Sequence, residues 1–216
     1  MKKKLLAGLL ASASVLGVCV LGATALANEV DSHDTTVGIG FSGHVPPPGT
    51  DDLTLKWAPI SFDFGSSNTV NAAAQAFNED SGSKKYVVVS DARTTGSDKW
   101  ELTAELTQLT SGSSTLTGAT LSFDSVKKGY VGSAAPETAG SIVAPTAAHT
   151  ATVAGANQTL TPGATAVVVM SDAAGVSYKG DTAMEMNNIK LNVPGGVAVE
   201  GKQYSGKLTW SLDDTI

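Results

Sequence analysis

From residue 100 to residue 107 apolar and polar side chains alternate without a break. Trp100, Leu102, Ala104 and Leu106 are interleaved with Glu101, Thr103, Glu105 and Thr107. Near the end of the chain Leu208, Trp210 and Leu212 alternate in the same way with Lys207, Thr209 and Ser211. A period of two sends successive side chains to opposite faces of a β-strand, so each segment reads as a strand with one face in a core. Ile60, Phe62 and Phe64, Leu121 and Phe123, and Ile189, Leu191 and Val193 repeat the pattern. Tyr86–Val89 and Val167–Val169 are short continuous apolar runs of the kind found in buried strands. Gly, Asn, Asp and Ser punctuate these segments. Only Asn71–Phe77, with three consecutive alanines, predicts a short helix. The fold class expected is all-β: an antiparallel two-sheet β-sandwich with long loops and at most one short helix.

The first residues belong to a different pattern. Lys2-Lys3-Lys4, an apolar stretch from Leu5 to Leu21 and the small residues around Ala25-Leu26-Ala27 have the layout of a cleaved secretory signal peptide, residues 1–27. The polar stretch 28–35 is expected to be a flexible leader, with a first short strand near Thr36–Ser42. Residues 36–216 then form one β domain. Pro46-Pro47-Pro48-Gly49 marks a connection, and Ser133–Thr150, without periodicity, a long surface loop.

Charge narrows the function. With the signal removed, 14 basic and 20 acidic residues become 11 and 20, a formal charge of −9, and Arg93 is the only arginine. That balance argues against a nucleic-acid partner, which needs a basic footprint. The single cysteine, Cys19, leaves with the signal, so disulfides, thiolate metal sites and cysteine nucleophiles are excluded. No second long apolar run predicts a membrane span, and no cofactor is implied. The two Ser-x-x-Lys matches, at Ser81–Lys84 and Ser125–Lys128, fall in expected turns rather than on a helix face, and no other catalytic pattern is present. His33, His44 and His149 read as surface residues. The expectation is a protein that is not an enzyme.

Two motifs remain. Trp100-Glu101-Leu102 and Trp210-Ser211-Leu212 each put a tryptophan and a leucine on the same face of a strand. Either the rings fill the core, or they offer a stacking surface for sugars. An echo links Val87-Val88-Val89-Ser90-Asp91-Ala92 to Val167-Val168-Val169-Met170-Ser171-Asp172-Ala173. An aspartate after serine at a strand end bonds the backbone ahead of it and holds the turn.

Taken together, these stretches resemble the WxL-domain surface proteins of low-GC Gram-positive bacteria. The resemblance rests on Pro59-Ile60-Ser61-Phe62-Asp63-Phe64-Gly65, on Val89–Arg93 leading into Trp100-Glu101-Leu102, on Val193-Pro194-Gly195-Gly196, and on Tyr204–Leu212. It implies a secreted protein held on the cell surface by binding the wall, peptidoglycan or another wall glycan, and assembling with other surface proteins. With no Leu-Pro-x-Thr-Gly signal in the sequence, the attachment expected is non-covalent. The resemblance places the wall-binding motif, or its structural equivalent, on Trp100, Leu102, Trp210 and Leu212, with Asp91 and Arg93 in support. Arg93 either pairs with a neighbouring carboxylate to fix the loop before Trp100, or grips a carboxylate of a peptide stem. At a charge of −9, contact with an anionic wall has to rest on stacking and neutral hydrogen bonds at short range.

Overall fold

A computed structural model describes residues 29–37, 52–80, 82, 84–94, 99–174 and 177–214. The signal peptide, His44 and the proline run lie outside these residues. Fifteen strands are described: β1 (Glu29–Val37), β2 (Leu53–Trp57), β3 (Ser61–Phe62), β4 (Gln75–Asn78), β5 (Lys85–Asp91), β6 (Trp100–Leu106), β7 (Thr110–Ser111), β8 (Ser114–Thr115), β9 (Thr120–Tyr130), β10 (Ile142–Val143), β11 (Thr152–Val153), β12 (Gln158–Leu160), β13 (Val167–Asp172), β14 (Gly180–Val193) and β15 (Gly206–Asp213). One sheet has the order β11-β13-β6-β15-β1-β3, and the other β10-β9-β14-β5-β2 with β12 on β9 and β4 on β14. Every pairing is antiparallel except β1 with β3. The described residues contain no helix, and two sheets enclosing one core make the sandwich that the alternation predicts.

The inner faces are the apolar registers of the sequence. Trp100, Leu102, Ala104 and Leu106 of β6 and Leu208, Trp210 and Leu212 of β15 meet Leu55, Val87, Val89, Leu121, Phe123, Met184 and Met186 of the other sheet in one cluster. Val88 is buried too, because the outer face at that point carries a second small core of Trp57, Val88, Tyr130 and Ala183, packed by Ala135 and Ile142. Trp57 Nε1 donates to the Tyr130 hydroxyl at 3.1 Å, and that hydroxyl donates to the Ala134 carbonyl. The loop expected over Ser133–Thr150 therefore begins as a flap on the sheet. It ends on His149, which is buried, not at the surface, stacked 4.1 Å from the Tyr178 ring.

Two further expectations change. Asn71–Phe77 is not helical. Asn71 Oδ1 accepts the Ala73 N–H at 3.0 Å and closes a turn, and Gln75–Asn78 then pair with Lys190–Val193. The stretch 28–35 is not a loose leader over Glu29–Thr35, since β1 pairs along β15 up to Val37. Its inner-facing positions include Asp31 and Thr35, polar residues that hide the strand period. Both are satisfied: Asp31 Oδ2 accepts the Leu55 N–H at 2.8 Å, and Thr35 is fully buried between two hydrogen-bond partners.

One charged group is held on the outer face. Glu185 of β14 is buried and accepts hydrogen bonds from Lys84 Nζ at 2.9 Å and Asn187 Nδ2 at 3.2 Å, with Lys128 Nζ at 3.9 Å. Burial pushes its carboxyl up, but the bonds from Lys84 and Asn187 and the Lys128 charge outweigh burial and hold it below the ordinary glutamate value. A carboxyl depressed in the folded state stabilises above its unfolded value, and that contribution is lost as pH falls through the folded one. Stability against urea is expected to fall as pH drops below 4.5, with Glu185→Gln showing a shallower fall. Equal slopes in the two proteins would show that Glu185 carries no such linkage.

Candidate functional site

The two Trp-x-Leu motifs lie on neighbouring strands of one sheet. Leu102 of β6 is directly opposite Leu212 of β15, and Ala104 is opposite Trp210. Along this ladder Trp100 is one inward position beyond the leucine pair on one side, and Trp210 one beyond it on the other. All four side chains are buried: Trp100 is 2 % exposed and the other three fully enclosed. The small Ala104 opposite Trp210 leaves room for the indole. Trp210 Nε1 donates to Thr35 Oγ1 at 2.7 Å, and that hydroxyl donates to the Pro59 carbonyl. The chain ties β15, β1 and the Pro59 turn together. The Trp100 N–H, by contrast, is buried without an acceptor among the described residues. Of the two readings of these rings, the core-filling one describes their position.

Asp91 ends β5, and Arg93 folds back onto it. Arg93 Nε donates to Asp91 Oδ1 at 3.1 Å and Nη2 to Oδ2 at 2.9 Å, a bidentate fork onto a carboxylate that is 2 % exposed. Lys179 Nζ adds a second positive charge 3.5 Å from Oδ2. Arg93 Nη1 also donates to the carbonyl of Lys99, the residue before Trp100, at 3.4 Å. The guanidinium thus bonds the Asp91 carboxylate and the Lys99 carbonyl. Asp91 Oδ1 also accepts the Arg93 N–H at 3.1 Å, and Asp172 Oδ1 accepts the Ala174 N–H at 3.2 Å. The echo between the two Ser-Asp segments is one turn made twice, at the ends of β5 and β13.

The opposite end of the sandwich holds a cleft of about 330 Å³. Leu109 and Leu116 form part of its lining from the core, with the rings of Phe64, Phe77 and Tyr204. Val70 and Val199 stand at its lip, 45 % and 49 % exposed. Asn68, Asn71, Gln75 and Gln203 add neutral amides, and the charged lining residues Glu200 and Lys202 are of opposite sign. One wall depends on Gly195. A Cβ there would stand 2.1 Å from the Ala72 carbonyl oxygen, so only glycine lets the segment after β14 press on the 71–73 turn. Gly196, at φ +72°, donates its N–H to the Asn71 carbonyl at 3.0 Å. Three stretches that carry the family resemblance, at Phe64-Gly65, Val193-Pro194 and Tyr204, line this cleft. The short-helix reading of Asn71–Phe77 concealed it. The signal for it was the paired glycines after Val193-Pro194, which demand a close backbone neighbour.

Two sheets thus enclose a motif ladder in their core and carry a cleft with one acidic and one basic lining residue at one end. A family model described as WxL domain surface cell wall-binding matches residues 36–215. The chain belongs to that family. It is a cell-surface protein bound to the cell wall. Comparisons with curated proteins and with solved structures return no match.

Proposed function

We propose that this protein is a non-enzymatic module that attaches non-covalently to peptidoglycan, and that its Trp-x-Leu motifs act as the internal frame of the binding surface. The observation that carries this reading is the burial of Trp100, Leu102, Trp210 and Leu212 in one ladder. Rings enclosed on all sides do not stack on a glycan, so the motif serves binding through the sheets it holds in place. Asp91 and Arg93 support the same frame by holding the entry to β6. The mature chain should co-sediment with purified peptidoglycan with little loss when salt is raised, since short-range neutral contacts are screened weakly. Failure to sediment, or release at moderate salt, would contradict it.

A second reading, assembly with other surface proteins, draws on β13. Its outer edge pairs with β11 at Met170 and Ser171, the Val169 carbonyl accepts the Ala154 N–H at 3.0 Å, and Val168 beyond them is 44 % exposed. An edge of this kind accepts an added strand. Co-purification with another secreted protein, lost on Val168→Lys or on a proline at Val167, would favour it.

A further inference from the structure

We infer that the cleft beside Gly195 is a sugar site, shaped for one neutral acetamido sugar unit of a glycan chain; this rests on the wall-binding reading above. Size is the first argument. At about 330 Å³ the cleft falls at the low end of the range for small-ligand sites, room for a ring and its substituents but not for a folded partner.

The second argument is chemical. Phe77 and Tyr204 are half-buried and line the cleft. A pyranose offers such a ring its apolar C–H face. Around the rings the hydrogen-bonding groups are divided between used and unused. Asn68 spends its Nδ2 on the Phe64 and Gly65 carbonyls, at 2.6 and 3.2 Å, which leaves Oδ1 as an acceptor. Asn71 spends Oδ1 on Ala73 and keeps its Nδ2 hydrogens. The Tyr204 hydroxyl accepts from the Val199 N–H at 3.1 Å and keeps its own proton to donate. Gln75 makes no side-chain bond among the described residues and offers both ends of its amide. The set is neutral and mixed, donors beside acceptors, as sugar hydroxyls and an acetamido group require. The acetamido methyl has an apolar destination in Leu109 and Leu116.

The third argument is what the cleft lacks. With Glu200 set against Lys202 there is no net positive charge to hold a phosphate-bearing polymer or the carboxylate of a peptide stem. A wall glycan strand meets the requirement, and the anionic components of the wall do not.

The test titrates the full mature chain with a β-1,4-linked N-acetylglucosamine tetrasaccharide, with cellotetraose and with polyglycerol phosphate, followed by calorimetry or NMR. The acetamido tetrasaccharide should bind at least about tenfold tighter than cellotetraose, and polyglycerol phosphate should not compete. Gln75→Ala, a half-exposed side chain without internal bonds, should keep the thermal midpoint and weaken binding by about three- to tenfold. Tyr204→Ala should weaken it further. An acetamido tetrasaccharide that does not bind, that binds no better than cellotetraose, or that is indifferent to Gln75→Ala would overturn the assignment. Sedimentation of the unsubstituted chain with peptidoglycan, run in parallel, separates the two proposals. If it sediments while the cleft is silent, only the sugar site fails; if it does not sediment, the wall-binding reading fails.

Discussion

Trp210→Ala is expected to lose about 3–5 kcal/mol of stability, the range for truncating a fully enclosed aromatic in a packed core. The ring belongs to the core cluster that the two sheets share, stands opposite Ala104 on the ladder and donates its N–H into the Thr35–Pro59 relay. For a domain whose total stability is on the order of 5–15 kcal/mol, that is a large share of the margin. The midpoint of thermal unfolding should fall by roughly 6–20 °C. Trp210→Phe separates the two contributions, since it keeps most of the apolar volume and removes the donor. Its cost should exceed that of Trp100→Phe by about 1 kcal/mol, because the Trp100 N–H has no acceptor to lose. Denaturant titration measures both. A Trp210→Ala protein with an unshifted midpoint would place the ring outside the core.

Asp91→Ala is the second large effect, about 3 kcal/mol. The carboxylate is 2 % exposed and answers the Arg93 fork and Lys179, so its removal takes away a buried negative charge that two positive side chains share. Breaking a buried pair costs roughly 3–5 kcal/mol, and the low end applies because the Lys179 side chain keeps about a third of its surface in water. The Asp91–Arg93 turn bond is lost as well. Asp91→Asn retains an acceptor for the Arg93 backbone and should cost about half as much. In a double-mutant cycle, Asp91→Ala and Arg93→Ala together should destabilise by less than the sum of the two, since each single change already removes the fork they share. Additive losses would show that the fork contributes nothing of its own. An alanine at 91 without effect on stability would remove the case for a structural role of the pair.

What could be read from the sequence was whatever period two encodes. The strands carrying Trp100–Leu106 and Leu208–Leu212 were legible because their inward residues are apolar and their outward ones polar. β1 was not, because it turns Asp31 and Thr35 inward, and what makes those positions tolerable are hydrogen bonds to Leu55, Pro59 and Trp210, far away in the chain. Ala72–Ala74 misled in the other direction. Helix propensity is a weak prior, and the Asn71 turn with Gly195 pressed against it overrides it.

The Trp-x-Leu spacing showed that each tryptophan shares a face with its leucine. It could not show that the face is interior, which depends on Leu102 meeting Leu212 and on a second sheet closing over both. Asp91 and Asp172 were legible as turn holders because an aspartate bonding two residues ahead is a local event. Arg93 closes on Asp91 only two residues away, but the Lys99 carbonyl it also bonds and the Lys179 charge on the same carboxylate are contacts that the local pattern does not encode. The cleft was out of reach for a stronger reason. Its lining is drawn from separate stretches between Val37 and Tyr204, and no short window of sequence contains it.

The central claim is that the tryptophans hold the binding surface in place from inside without touching the wall. Trp100→Phe and Trp210→Phe test it most directly, because both keep an apolar ring in the core and remove the indole. Each purified variant is incubated with purified peptidoglycan at a temperature where circular dichroism shows it folded, and the sedimented fraction is compared with that of the unsubstituted chain. The same sedimented fraction per folded molecule is predicted for all three proteins. A folded Trp100→Phe or Trp210→Phe protein that no longer sediments would contradict the account and return the motifs to the binding surface.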